Sequence, residues 1–107
     1  MAEKIIMWPG ASGKQYKYWI HPLNTTFKDS PGNYIFAKET SPARWKPIYI
    51  GETDNLRNRI SNHEKMPCIK RHGDIHIHVH NSSSDEELRR VEESDLIANW
   101  DPPCNKE

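Results

Sequence analysis

Three extended segments, then helix, strand and helix, make this chain a small α+β sandwich. Three observations predict it. Tyr16-Lys17-Tyr18-Trp19-Ile20, Asn33-Tyr34-Ile35-Phe36-Ala37 and Pro47-Ile48-Tyr49-Ile50-Gly51 are aromatic and β-branched runs bounded by turn residues. Ile75 to His80 alternates apolar residues with histidines, the period of a strand with two unlike faces. Leu56, Ile60 and His63 recur at helical spacing.

Residues 1 to 13 hold Pro9, Gly10, Ser12 and Gly13 after a short apolar run, which predicts an irregular or edge segment. The aromatic run at 16 to 20 is the first full strand. Asn24 to Pro31 is a polar turn region before the strand at 33 to 37, and Pro42 to Pro47 forms a loop before the strand at 47 to 51, so the two pair as an antiparallel hairpin. Asp54 is placed to cap a helix running to about Glu64, which Pro67 closes. After the strand at 75 to 80, Asn81 to Ser84 is a turn, and Ser84 with Glu87 forms a capping box for a helix to about Trp100. Pro102 and Pro103 end that helix and leave Cys104 and Asn105 in an extended tail.

At 107 residues one domain with one modest core is expected, and 35% hydrophobic content keeps that core small. Formal net charge is zero, with 15 basic and 15 acidic residues, which argues against a protein that coats duplex nucleic acid by charge alone. Charge is nevertheless segregated: Lys65, Lys70, Arg71 and His72 surround one turn, while Asp85, Glu86, Glu87, Glu92, Glu93 and Asp95 cluster later. Cys68 and Cys104 lack metal-ligand or redox-pair spacing, and no segment reads as a leader or membrane span. The expectation is a cytoplasmic protein, with no membrane partner, that keeps both thiols free.

Function is carried by two short words. Gly32-Asn33-Tyr34 and Tyr49-Ile50-Gly51 stand 17 residues apart and are followed by Arg59, His63, Glu93 and Asn105. Order and spacing together resemble the GIY-YIG nuclease superfamily, over about residues 32 to 105. The resemblance implies a small GIY-YIG-type domain, a three-stranded mainly antiparallel sheet flanked by helices, here with an added N-terminal strand. It implies a metal-dependent endonuclease with catalytic Tyr34, Tyr49, Arg59, His63, Glu93 and Asn105. Arg57 is equal to Arg59 on spacing alone, and only the resemblance prefers Arg59, ten residues after Tyr49. Helix geometry likewise leaves Glu92 and Glu93 open, and only the resemblance prefers Glu93, which precedes Asn105 by the twelve residues that separate the superfamily's metal-binding glutamate from its asparagine. The chain departs from the family at Asn33, where the middle isoleucine is replaced, and at Glu52, where repair-type members carry lysine.

Phosphodiester hydrolysis needs a base, a cation at the phosphate, a donor for developing charge and a proton for the leaving oxygen. In the mechanism the resemblance implies, Tyr34, as tyrosinate or passing its proton to His63, is expected to activate water, Glu93 to bind Mg²⁺, with Mn²⁺ able to substitute, Arg59 to stabilise the pentavalent state, and Tyr49 to orient water or phosphate. A single carboxylate suits Mg²⁺, which keeps much of its hydration. Tyr34 must lose roughly three units from a pKa of ~10 to act as a base at neutrality, about 4 kcal/mol. The His76, His78 and His80 row spans about 13 Å, too far for one Zn²⁺, and is expected to face solvent or nucleic acid.

Trp8, Tyr16, Tyr18, Trp19 and Trp45 give the N-terminal half an aromatic surplus, of which at least three are expected in the core. Exposed aromatics stack on unpaired bases. The favoured partner is therefore single-stranded DNA over duplex, met by a monomer, with Gly51, Arg57, Lys70, Arg71, Trp45 and His78 as further contacts. The alternatives are a restriction-like duplex endonuclease acting as a dimer, a non-catalytic nucleic-acid-binding module, and a Zn-stabilised interaction domain built on the histidine row.

Overall fold

The computed structural model describes residues 4–81 and 84–106. Its elements are β1 (Ile5–Pro9), β2 (Gln15–Pro22), β3 (Gly32–Ser41), β4 (Arg44–Thr53), α1 (Leu56–Ser61), α2 (Met66–Lys70), β5 (Ile75–His80), α3 (Glu86–Trp100) and a 3-10 turn at Pro103–Asn105. The class is α+β, but the sheet is larger than the expected three strands plus one: five strands run in the order β1-β2-β5-β3-β4, every pair antiparallel. β5 stitches the N-terminal hairpin to the β3–β4 hairpin, because its partners Trp19 to Pro22 and Asn33 to Lys38 flank it on both sides.

Both faces are covered. On one, Tyr34, Phe36, Ile48, Ile75, Ile77 and Val79 pack against Leu56 and Ile60 of α1 and Cys68 and Ile69 of α2. On the other, Trp8, Tyr16, Tyr18, Ile35, Ala37 and Ile50 pack beneath Leu96 of α3. That second layer corrects the expected solvent-facing histidine row at its middle member, while His76 and His80 stay half-buried. His78 is fully buried, its Nδ1 accepts the Trp8 indole N–H at 3.0 Å, and Trp45 packs on it with ring centroids 4.7 Å apart. Alternation marks two unlike faces, but it does not tell a wet face from one roofed by aromatics. Trp8, Tyr16 and Tyr18 are all buried, so three of the five aromatics are core.

Local signals moved by a residue or a turn. α1 is capped by Asn55, not Asp54, through a bond from Asn58 N–H to its side chain, and it stops at Ser61. Pro67 does not close it but sits in the first turn of α2, where a missing N–H costs nothing. α3 is capped by Asp85, whose carboxylate accepts Glu87 N–H at 2.9 Å, in place of the Ser84 box. Residues 82–83 of the turn expected from Asn81 to Ser84 lie outside the described residues. The loop at 42 to 47 shrinks to a tight hairpin with Ala43 at φ 64. The expected extended tail instead winds into the 3-10 turn after a left-handed cap at Asp101. Cys68 and Cys104, expected free, form a disulfide across a Cα separation of 5.9 Å, because the turn folds back onto α2. Among the described residues no helix is long and apolar enough to cross a membrane.

Candidate active site

Pairing of β3 with β4 sets Tyr34 opposite Gly51 and Phe36 opposite Tyr49, which makes the two tyrosines diagonal neighbours. Their rings stack with centroids 6.2 Å apart and planes at 21°. A Cβ built on Gly51 would lie 2.5 Å from the Tyr34 hydroxyl. The glycine that ends the second word is thus the space occupied by the side chain of the first.

Arg59 reaches the same hydroxyl from α1, and His63 from just beyond its end. Arg59 Nε–H donates to Tyr34 Oη at 3.3 Å while its Nη2 pairs with Glu64 at 3.1 Å. His63 Nε2 lies 2.8 Å from Tyr34 Oη. Its tautomer is assigned from the other ring nitrogen: Nδ1 accepts the backbone N–H of Lys65 at 3.1 Å, which leaves the proton of the neutral imidazole on Nε2. His63 therefore donates to Tyr34 instead of standing ready to take its proton. Tyr34, Phe36 and Tyr49 enclose the imidazole edge-on.

Burial dominates the electrostatics. It lowers His63 to about 4, with Arg59 next in effect, so the ring is neutral at physiological pH. It raises Tyr34 above the usual phenol range, helped by Tyr49 and opposed by the charge and hydrogen bond of Arg59. Arg59 itself is pulled down by desolvation but held firmly cationic by Tyr34, Glu64 and Tyr49. The drop expected for Tyr34 is thus not present in the protein alone. Tyr34 is 1% exposed, and the cluster opens to solvent through the half-buried Tyr49 and Arg59.

α3 divides its adjacent glutamates. Glu92 turns toward β2 and β5, accepting the Tyr18 hydroxyl at 2.6 Å and contacting His80 Nδ1 at 3.1 Å. Glu93 turns toward β4, where its carboxylate accepts the backbone N–H of Glu52 and feels the charges of Arg90 and Arg59. Burial first, and then the charge of Glu52, raise its pKa. Asn105 lies at the same edge: its Oδ1 accepts Ile50 N–H and its Nδ2 donates to Ile50 O, each at 2.8 Å. Tyr34, Tyr49, Arg59, His63 and Glu93 are thus electrostatic neighbours, and Asn105 serves the strand that carries Tyr49.

The outlying contacts scatter. Arg57 is exposed and 3.8 Å from Asp29, Lys70 and Arg71 are exposed around the end of α2, Trp45 is half-buried, and Gly51 and His78 are enclosed. His78 cannot reach nucleic acid from beneath Trp8 and Trp45. A groove of ≈ 360 Å³ lined by Thr53, Asn55, Asn58 and Arg59 adjoins the cluster. A larger one, ≈ 600 Å³, is lined by Trp19, His21, Phe27, Lys28, His80 and Asn81, with Leu56 and Val79 at its wall.

Comparison of the chain with protein-family models, with curated proteins and with solved structures finds no match. The site consequently stands on its own geometry. Three of its parts have no signal in the sequence: the Glu64 carboxylate that steadies Arg59, the Lys65 N–H that fixes the His63 tautomer, and the Glu52 side chain that receives buried Arg89 at 3.0 Å. Asn33, the departure in the first word, is buried and donates to Arg89 O at 2.9 Å, tying β3 to α3.

Proposed function

We propose that the chain is a metal-dependent DNA endonuclease of the GIY-YIG type that hydrolyses phosphodiester bonds in single-stranded DNA. The observation that carries this reading is one hydroxyl, Tyr34 Oη, receiving donors from both His63 and Arg59 beside a second tyrosine and a half-buried glutamate. Two donors and a fixed cation on one phenol oxygen oppose the burial that keeps it protonated, a set of partners that a structural tyrosine does not need. Water reaches it from the side left open by Tyr49 and Arg59.

The donor chemistry fits Mg²⁺. Glu93 is a carboxylate raised by burial next to Glu52, a setting that a cation would relieve, and one carboxylate with waters is the coordination this ion favours. Glu93 would hold the ion, which when bound supplies polarisation of the phosphate and of the leaving oxygen. The chain's own residues do the rest. Arg59 keeps its charge and neutralises the phosphate, Tyr49 orients the attacking water, and the Tyr34 oxygen, as a phenolate steadied by the His63 and Arg59 donors, would take that water's proton.

Single-stranded DNA is favoured over duplex by the ≈ 600 Å³ groove, in which Trp19, His21 and Phe27 offer rings for unpaired bases. Zero net charge favours the same choice. The test is cleavage of matched single-stranded and duplex oligonucleotides with Mg²⁺ or EDTA. Metal-dependent cutting of the single strand supports the reading, duplex cutting replaces it with a restriction-like one, and retained binding without cutting leaves a binding module.

A further inference from the structure

Sγ of Cys68, a ring nitrogen of His72 and Sγ of Cys104 all lie within 4.8 Å of one another. The two sulfurs are bonded. We propose that the reduced form of this trio is a Zn²⁺ site, with Cys68 and Cys104 as thiolates, His72 as the nitrogen ligand and water completing the shell.

The donors are placed without help from a metal. Cys68 sits in α2 and His72 one turn later, where its backbone N–H donates to Ile69 O at 3.1 Å. Cys104 is presented from the 3-10 turn, between a Pro102-Pro103 pair that limits the backbone and Asn105, which is fastened to Ile50 by two bonds. Both cysteines are at least 95% buried, while His72 is half-exposed and gives an ion an entry path. Zn²⁺ takes thiolate at about 2.3 Å and imidazole at about 2.0 Å, so tetrahedral ligands stand roughly 3.5 to 4 Å apart. The trio meets that spacing once the sulfurs part by rotation about their Cα–Cβ bonds. Two thiolates and one imidazole match the soft and borderline donors that Zn²⁺ selects over Mg²⁺, so the site does not compete for the ion proposed at Glu93.

The disulfide and the metal exclude each other. Opening the S–S bond takes two electrons and two protons as Cys68 and Cys104 become thiols: an external dithiol supplies both and closes to a disulfide, whereas a phosphine supplies the electrons and leaves as its oxide, with water giving the oxygen and the protons. Zn²⁺ then displaces both thiol protons to solvent as the two metal–sulfur bonds form. Either crosslink ties α2 to the turn that holds β4, so the fold keeps this joint in oxidising and in reducing surroundings.

Co²⁺ is the probe. The full chain, reduced with a phosphine under inert gas, should take up one Co²⁺ with thiolate-to-cobalt absorption in the near ultraviolet and the visible bands of a tetrahedral ion, and Zn²⁺ should displace it. The unreduced chain should show neither. His72→Ala leaves the disulfide intact, so its folding is checked in the oxidised state, and after reduction its affinity should fall about tenfold or more. The proposal is overturned if the reduced chain gives no tetrahedral spectrum, if the spectrum is equal in the unreduced chain, or if His72→Ala binds as tightly as the parent. None of these readouts depends on cleavage.

Discussion

Acid should weaken this fold through His78. Burial, reinforced by His76 and His21, lowers His78 from the ordinary 6.5 to about 3. A histidine held neutral gives stability that is present above its unfolded value and lost as pH falls: below 6.5 the unfolded chain binds a proton that the folded chain refuses. At pH 5 the unfolded site is about 97% protonated and the folded one about 1%, so the loss relative to pH 7.5 is about 2 kcal/mol. His63, lowered to about 4, loses nearly as much over the same interval, about 2 kcal/mol. Glu64 and Asp95, held low by their partners, lose stability only below the carboxylate range, outside this window. Raised Glu93 works in the opposite sense. The perturbation is His78→Gln, which keeps an acceptor for Trp8 Nε1–H and removes the titration. Urea unfolding of parent and variant at pH 7.5 and 5.0 should show the parent losing about 2 kcal/mol more than the variant across that interval. Equal losses would mean that His78 is not held neutral in the fold, and the argument from its burial would fail.

Other changes test the site and its supports. Gly51→Ala puts a Cβ into the Tyr34 hydroxyl and should cost about 1 to 3 kcal/mol by thermal unfolding while displacing the tyrosine from Arg59 and His63; if the proposed nuclease reading holds, cleavage is lost in parallel. Asn105→Ala strips Ile50 of both partners at the edge of β4 and should cost roughly 2 kcal/mol, read by urea unfolding, whereas Asn105→Asp should recover only the bond from Ile50 N–H. Reducing the disulfide, whose cysteines are 36 residues apart, should cost about 4 kcal/mol by chain entropy. Added Zn²⁺ should restore part of that loss.

Legibility followed local signals. β5 was readable from its alternation, β2, β3 and β4 from aromatic and β-branched runs bounded by turn residues, and α3 from its cap signal and the prolines that end it, but α1 was read too long because Ile60 and His63 keep helical spacing while the chain already turns at Asn62. β1 stayed half-hidden, since Pro9 and Gly10 signal a turn whereas pairing of Ile5 to Pro9 with β2 needs only an edge. The histidine row misled for a tertiary reason: Trp8, seventy residues earlier, supplies its donor. The disulfide was invisible because spacing of 36 residues carries no pattern, and proximity comes only from the final turn folding onto α2. Proximity of Tyr34 and Tyr49 was legible, since a hairpin brings the two words together, but the direction of the proton between Tyr34 and His63 was not, because it is set by the backbone N–H of Lys65.

Glu93 and Asn105 raise the sharpest question, because each also has a plain structural task. β4 is an edge strand, and its outward peptide groups alternate with period 2. Asn105 satisfies Ile50 on both sides, and the Glu93 carboxylate accepts the N–H of Glu52, the next outward position. Twelve residues of separation in sequence therefore collapse to adjacent places on one edge, which alone would account for both residues. Charge separates the two readings. Glu93→Gln keeps an acceptor for Glu52 N–H and should change stability little, whereas Glu93→Ala leaves that donor unpaired and should cost about 1 kcal/mol. If Glu93 serves chemistry, both variants should lose metal-dependent cleavage by about a hundredfold or more while oligonucleotide binding persists. If Glu93→Gln cleaves like the parent, the carboxylate is an edge cap and the metal must be sought elsewhere.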